Sequence, residues 1–319
     1  MKIKKGHRKT TVGLALGGGV ARGWAHIGAI KALMEENIEI DIISGTSIGA
    51  LVGGYYVTGK IETLEKWALT LNKNKVFNYL DIQWGGTSII KGQRLSRVLK
   101  SHFRNVNIED IPQKFIAVSC DLKTGEEIWL QSGSILKAIK ASYALPGIFE
   151  PVQIDGKYLI DGALANPVPV SACRSLGANI VIGIGLNDYG GNTTSSNNET
   201  SNPEALKKSK GNFIGKLIQK VHNFRPEKIL TDTFFKKNTK NKKPKLGMVM
   251  IDALDLTMDR LARNCLAKNP ADIYITPKIS HIGMLEFTKV EDLINLGYEA
   301  VKKEIPHILK VLNNSSIIQ

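Results

Sequence analysis

Long hydrophobic runs are missing from this 319-residue chain. No apolar stretch approaches the ~18 residues that a membrane-spanning helix needs. Cysteine is scarce: Cys120, Cys173 and Cys265 are the three present. They are widely spaced and form no C-x-x-C pair, which argues against a disulfide framework and against a zinc site. Cytoplasm is then the default compartment. Histidine is equally thin, with His7, His26, His102, His222, His281 and His307 falling in no shared motif. No internal repeat is visible. The glycine-rich stretch near the start lacks the Gly-Lys-Ser/Thr of a P-loop. It also lacks the third glycine of G-x-G-x-x-G, because Arg22 stands there.

What is present is ordinary globular material, 43% hydrophobic and 23% charged. The length allows one large α/β domain or two smaller ones, either with a real core. The net charge of +14 is unevenly placed. Residues 1–12 carry five Lys/Arg and no acid, and residues 207–245 carry thirteen against Glu227 and Asp232. The remainder has 25 basic and 27 acidic residues, so the body is near neutral. A basic arm and a basic insertion suit an anionic surface, either phospholipid headgroups or nucleic acid, or are simply solvated. The N-terminal "TVGLAL" is too short for a signal-peptide core and reads as the first strand behind a basic arm of residues 1–10.

"TVGLAL" and "IEIDIIS" are short apolar runs of strand type, each followed by helical spacing (22–36, then 48–57), which predicts βαβ units and a parallel sheet. "GQRLSRVLKSHF" predicts a helix. "KFIAVSCDL" with "EEIWLQ", and "VQIDGKYLIDGA" with Asp155-Gly156 at its turn, predict two hairpins. "SILKAIKASYALPG" predicts a helix ended by Pro146-Gly147, and "GANIVIGIGL" another buried strand. Residues 187–204 are rich in Gly, Asn, Ser and Thr and cannot build a core. Beyond them Phe213, Ile214, Leu217, Ile218, Val221 and Phe224 share one face of a basic amphipathic helix, which can lie on a membrane interface or, as the plainer reading, pack its apolar face on the body. The expected organisation is thus an arm (1–10), a core (11–186), a flexible basic insertion (187–247) and a C-terminal part (248–319) completing the same domain, with a helix over 248–267, a strand at "ADIYITP" and a last helix near 289–312.

Three features carry chemistry. In "SGTSIGA", Ser47 lies between Gly45 and Gly49 where a strand meets a helix. Such glycines permit a strained turn that exposes a nucleophile at a helix N-terminus; the plainer alternative is that they allow close helix–strand packing. In "LGGGVARGWAHIGAI", Gly17, Gly18 and Gly19 open a helix and offer backbone N–H groups to an anion, with Arg22 shaping the loop or adding positive potential. In "LIDGALANPVP", Asp161 ends a strand at a turn. A serine hydroxyl needs a base and fixed oxyanion donors. A triad Ser47–Asp161–His281 has the chain order of α/β-hydrolases, but only two strands precede Ser47, and His281 lies in a loop-like stretch. His26 is expected to be packed or hydrogen-bonded. A Ser47–Asp161 dyad, the carboxylate taking the proton directly, is more economical.

"GGGVARGWAHIGAI", "GTSIGA", "ASYALPGIFEPV" and "DGALANPVP", in this order, resemble the patatin-like phospholipase family, in particular the bacterial branch related to the neuropathy target esterase catalytic domain. The resemblance covers roughly residues 10–187, and "DRLARNCLAKNPADIYITP" with "IGMLEF" extends it. It implies a three-layer α/β/α sandwich with a mainly parallel central sheet. It also implies hydrolysis of lipid acyl esters by a Ser–Asp dyad without cofactor or catalytic metal, Ser47 being the nucleophile and Asp161 the base. Gly17–Gly19 with Arg22 would form the oxyanion region, the amides of Gly18 and Gly19 steadying the oxyanion. The chain departs from the family's G-G-G-x-[RK]-G pattern in having Val20 where the third glycine stands, although the backbone N–H survives.

The sequence therefore predicts a serine acyl-hydrolase acting on phospholipid, lysophospholipid or a related fatty-acyl ester. Peripheral contact with the inner face of an anionic membrane would run through the arm and residues 207–245, with no specific nucleic acid as partner. Two alternatives compete: a basic membrane- or nucleic-acid-associated protein whose dyad is idle, and a histidine-dependent hydrolase using His281.

Overall fold

The computed structural model describes residues 10–80, 88–90, 92–186 and 246–317. The basic arm and the expected amphipathic helix of the insertion lie outside the described residues. Two units divide the chain, Met1–Tyr189 with Leu254–Gln319, and Gly190–Ala253. The described part of the second is the helical start of the long helix at 246; everything below concerns the first.

In chain order the first half contains β1 (Val12–Leu16), α1 (Ala25–Glu35), β2 (Ile42–Thr46), α2 (Ile48–Val57), α3 (Ile61–Leu69), α4 (Lys73–Leu80), β3 (Ser88–Ile90) and α5 (Gln93–His102). There follow β4 (Lys114–Asp121), β5 (Glu127–Leu130), α6 (Ile135–Ser142), β6 (Gly147–Phe149), β7 (Val152–Ile154), β8 (Lys157–Asp161), α7 (Val170–Ser175) and β9 (Ile180–Ile184). The chain closes with α8 (Leu246–Lys268), β10 (Ile273–Ile275) and α9 (Val290–Ile317). The main sheet has eight strands. From β10 through β9, β1 and β2 to β4 every pairing is parallel; β5, β8 and β7 add on antiparallel.

Alternation of side chains explains the three layers. Leu14 and Leu16 of β1 join the large core beneath α1, α2 and α9, while Ala15 faces the other way, with Val168, Val170 and Ala262 of the α7–α8 side. A strand buried on both faces is the mark of a parallel sheet between helix layers. The chain is an α/β/α sandwich, parallel in one half and mixed in the other. Both expected hairpins are present. Among the described residues no helix is long and apolar enough to cross a membrane.

Three expectations shift. The second strand starts at Ile42 instead of Ile38, because Asp41 is bonded to the start of β1: its amide donates to Val12 O (2.9 Å) and its Oδ2 accepts from Val12 N (2.8 Å). The helix after the glycine loop begins as a 3-10 turn at Val20–Trp24 before α1. Helix α6 stops at Ser142, four residues ahead of Pro146, because the chain there turns to bond with the sheet.

Helices α1 and α9 approach backbone to backbone. A Cβ on Gly28 would lie 1.8 Å from Ile294 O, and one on Gly297 1.9 Å from Ala25 O. Neither neighbour can move without parting the helices. Gly297→Ala is therefore expected to lower stability by about 3 kcal/mol; urea unfolding with a loss below ~1 kcal/mol would show that the helices separate without penalty.

Candidate active site

One strand brings the candidate residues together. β2 runs up one edge of β4 and ends with Thr46 opposite Val118. β5 occupies the other edge, pairing Ala117–Cys120. β8 pairs with β4 at Ser119–Asp121, so it continues the edge that β2 has left, running in the opposite direction. It ends with Asp161 opposite Ser119. Two strands thus meet head to head on neighbouring residues of β4. Ser47, the residue after Thr46, donates its hydroxyl proton to Asp161 Oδ2 at 2.6 Å. The other carboxylate oxygen accepts from Ala163 N at 2.9 Å. Among the described residues no histidine hydrogen-bonds to either side chain, and His281 is exposed.

Ser47 has φ 56° and ψ −120°, a conformation strained for an L side chain. The strain falls on the serine, and the flanking glycines have a different task. A Cβ on Gly45 would lie 2.5 Å from Ala50 N, and one on Gly49 2.2 Å from Leu16 O. They let α2 rest on the ends of β1 and β2. Of the two readings of Gly45 and Gly49, close packing is the one the contacts favour. Thr46 Oγ1 donates to Asn166 O at 2.8 Å, and the Ser47 amide donates to Ser142 Oγ at 2.8 Å.

The glycine loop lies beside the serine: a Cβ built on Gly18 would be 3.5 Å from Ser47 Cβ. Gly17 N donates to Ile184 O and Gly18 N to Pro167 O, each at 3.0 Å. His26 Nε2–H donates to Gly17 O at 2.8 Å, since a carbonyl only accepts. Gly18 was expected to offer its amide to an oxyanion, but that amide is committed to Pro167. The amides of Gly19 and Val20 have no hydrogen-bond partner among the described residues. Val20 has φ 52°, a left-handed backbone that glycine adopts more readily than a β-branched residue. Arg22 is 9% exposed, and its guanidinium bonds Ile282 O (2.8 Å) and Asp255 (3.4 Å). Of the two expected roles, shaping the loop fits these contacts.

A family model described as patatin-like phospholipase matches residues 14–174. The chain belongs to the patatin-like phospholipase family. An uncharacterized NTE family protein of Mycobacterium bovis is 36% identical over 183 residues, 57% of this chain and 51% of that protein. Lysophospholipases named nte1 and NTE1, from Emericella nidulans and Kluyveromyces lactis, are 29% and 30% identical over 94% and 90% of this chain, in each case 18% of the fungal protein. The chain spans about half the length of the mycobacterial relative and under a fifth of the fungal ones. The glycine loop, Ser47 and Asp161 all lie within the patatin-like match.

Sequence reading missed Ser142 and Asn166 in this patatin-like site. Both stand inside quoted motifs, but a serine ending an apolar helix and an asparagine before proline give no local sign of their partners in strands far along the chain. Among the described residues no group of three or more His, Cys, Asp and Glu side chains could hold a metal.

Two buried titratable groups set the site's pH behaviour. Burial pushes the Asp161 carboxyl up to about 6, against smaller opposing effects of its bonds from Ser47 and Ala163. Burial pushes His26 down to about 4, so the ring is neutral and donates through Nε2. Asp161 binds a proton more tightly folded than unfolded. Its contribution to stability is present below pH ~4 and is lost as pH rises through ~6, a loss of roughly 3 kcal/mol by pH 8. Asp161→Asn, which preserves the shape, is expected to melt several degrees above the native protein at pH 8 and level with it near pH 4. Equal melting temperatures at pH 8 would show that the buried carboxylate carries no such penalty.

Proposed function

We propose that this protein is a lipid acyl hydrolase in which Ser47 and Asp161 act as a two-residue catalytic unit. The observation that carries the proposal is the 2.6 Å hydrogen bond from Ser47 Oγ to Asp161 Oδ2, at a strained strand–helix turn beside a glycine loop. In the ionised form Asp161 accepts the hydroxyl proton as Ser47 Oγ attacks the acyl carbonyl carbon. The carbonyl oxygen becomes an oxyanion, for which the amides of Gly19 and Val20 and the N-terminus of α2 are the donors. Collapse of this intermediate breaks the ester bond, and Asp161 returns the proton to the leaving alcohol. Asp161 then takes a proton from water as the water oxygen attacks the acyl-serine, and returns it to Ser47 Oγ as the acyl–oxygen bond breaks, which releases the fatty acid and restores Ser47 and the ionised Asp161. Nothing in this sequence requires His281.

The substrate is an acyl ester of a phospholipid or lysophospholipid. The names of the fungal relatives, lysophospholipases, support this class, as does the family. The basic residues of the arm and of 207–245 supply charge for peripheral contact with an anionic lipid surface.

The test pairs a fluorophosphonate probe with fatty-acid release from a lysophospholipid. The native protein is expected to be labelled once and to release fatty acid, with a rate that falls on acidification through pH ~6 as Asp161 protonates. Ser47→Ala is expected to lose label and activity. Asp161→Asn is expected to lose about 1,000-fold or more in kcat. Full activity in folded Ser47→Ala overturns the assignment, and absent labelling of the native protein favours the idle, surface-associated alternative. A strict requirement for His281 would restore the histidine-dependent scheme.

A further inference from the structure

We infer that the segment Ser142–Ala144 is a positioning clamp for both members of the dyad, with Ser142 fixing the backbone of the nucleophile. The inference rests on the assignment of Ser47 and Asp161 above and concerns residues that touch neither substrate nor reacting atoms.

Ser142 is the last residue of α6 and is fully buried. Its hydroxyl accepts from Ser47 N (2.8 Å) and donates to Val118 O (2.5 Å), so both capacities are used in one direction. Two residues on, Ala144 O accepts from Asp161 N at 3.0 Å. One short piece of chain therefore grips the amides of both residues. It does so against β4, whose Val118 and Ser119 set where β2 and β8 end.

The clamp matters because, among the described residues, Ser142 Oγ is the acceptor that fixes the Ser47 amide, while Thr46 on the other side of that peptide is held by its pairing with Val118 and its bond to Asn166 O. As the residue just ahead of α2, Ser47 cannot give its amide to the helix ladder. Its φ and ψ lie where an L residue is strained, so a free peptide relaxes by rotating. Rotation carries Oγ away from Asp161 Oδ2 and from the amides of Gly19 and Val20, which have no hydrogen-bond partner among the described residues. The Ser142 hydroxyl opposes it by giving the amide a buried acceptor in only one orientation.

The experiment compares Ser142→Ala with the native protein and with Ser44→Ala, which removes an equally buried serine on β2 that bonds Pro169 O and lies outside the dyad. Three quantities are read: the fluorophosphonate labelling rate of Ser47, the pH dependence of hydrolysis, and hydrogen exchange of the Ser47 amide. For Ser142→Ala, labelling and kcat are expected to fall roughly 10- to 100-fold with KM held within about twofold. The acidic limb of the rate profile is expected to move to higher pH, because the bond from Ser47 is one of the effects holding Asp161 down. The Ser47 amide is expected to lose protection. Ser44→Ala is expected to keep the native labelling rate and amide protection. Should Ser142→Ala fail to fold, Ser142→Cys keeps a small, slightly larger side chain with a weaker acceptor and is expected to show the same changes to a smaller degree. A folded Ser142 variant with native labelling rate, acidic limb and Ser47 amide protection overturns the inference. If the native protein itself is not labelled, the catalytic assignment fails, and exchange of the Ser47 amide still decides whether the clamp exists.

Discussion

The register of β4 is the constraint on which the rest of the site depends. Val118 and Ser119 are consecutive, and they pair with Thr46 and Asp161 on strands that arrive from opposite directions. Side chains 114 residues apart become hydrogen-bonded because two strands end on neighbouring rungs of a third. Sheet register moves in whole residues, and a slip of one residue turns every side chain to the opposite face. Burial on both sides of β4 forbids such a slip, since Phe115 and Ala117 face one core and Ile116 and Val118 the other. The placing of the carboxylate is thus secured by the same apolar contacts that hold the fold together.

Much of this was legible in the sequence, and the legible part was local. The strand β1, the helix α2 and both hairpins follow from short apolar runs and turn residues whose neighbours in sequence are their neighbours in space. Ser47 and Asp161 were found as a serine at a strand–helix junction and an aspartate at a strand end, together with the order of four motifs. Less legible was how each feature works. Residue type left open whether the glycines around Ser47 serve a strained turn or close packing; they bear close backbone contacts, and the positive φ belongs to the serine. Gly18 was expected to offer a free amide, which Pro167 in fact occupies. Both outcomes depend on chain more than thirty residues away or on atomic contact, neither of which is written in residue type and spacing.

The helices over 61–80, the pairing of β3 with β6, and Ser142 escaped for a related reason. Ser142 is one hydroxyl at the end of an apolar helix, and its importance lies wholly in Val118 O and Ser47 N. Val20 is a clearer case, because a β-branched residue has no local reason to adopt φ 52°. Its neighbours impose it: Ala21 N is tied to Met284 O, and Arg22 Nε to Ile282 O, both far along the chain. The C-terminal part of the chain therefore shapes a loop encoded near the beginning, which is why residues 1–186 alone do not define the site.

The head-to-head meeting of β2 and β8 also joins regions of unequal firmness. Every residue of β1 and β2 is buried, whereas β8 enters through a hairpin whose Gln153, Asp155, Lys157 and Tyr158 are exposed. Local opening begins where few apolar contacts oppose it. The nucleophile follows a strand buried along its whole length, and the carboxylate ends a strand that begins in an exposed hairpin. Besides the hydrogen bond between their side chains, the two share the segment Ser142–Ala144, which bonds both amides, so a fully buried strand and a strand with an exposed start are tied together at the candidate site.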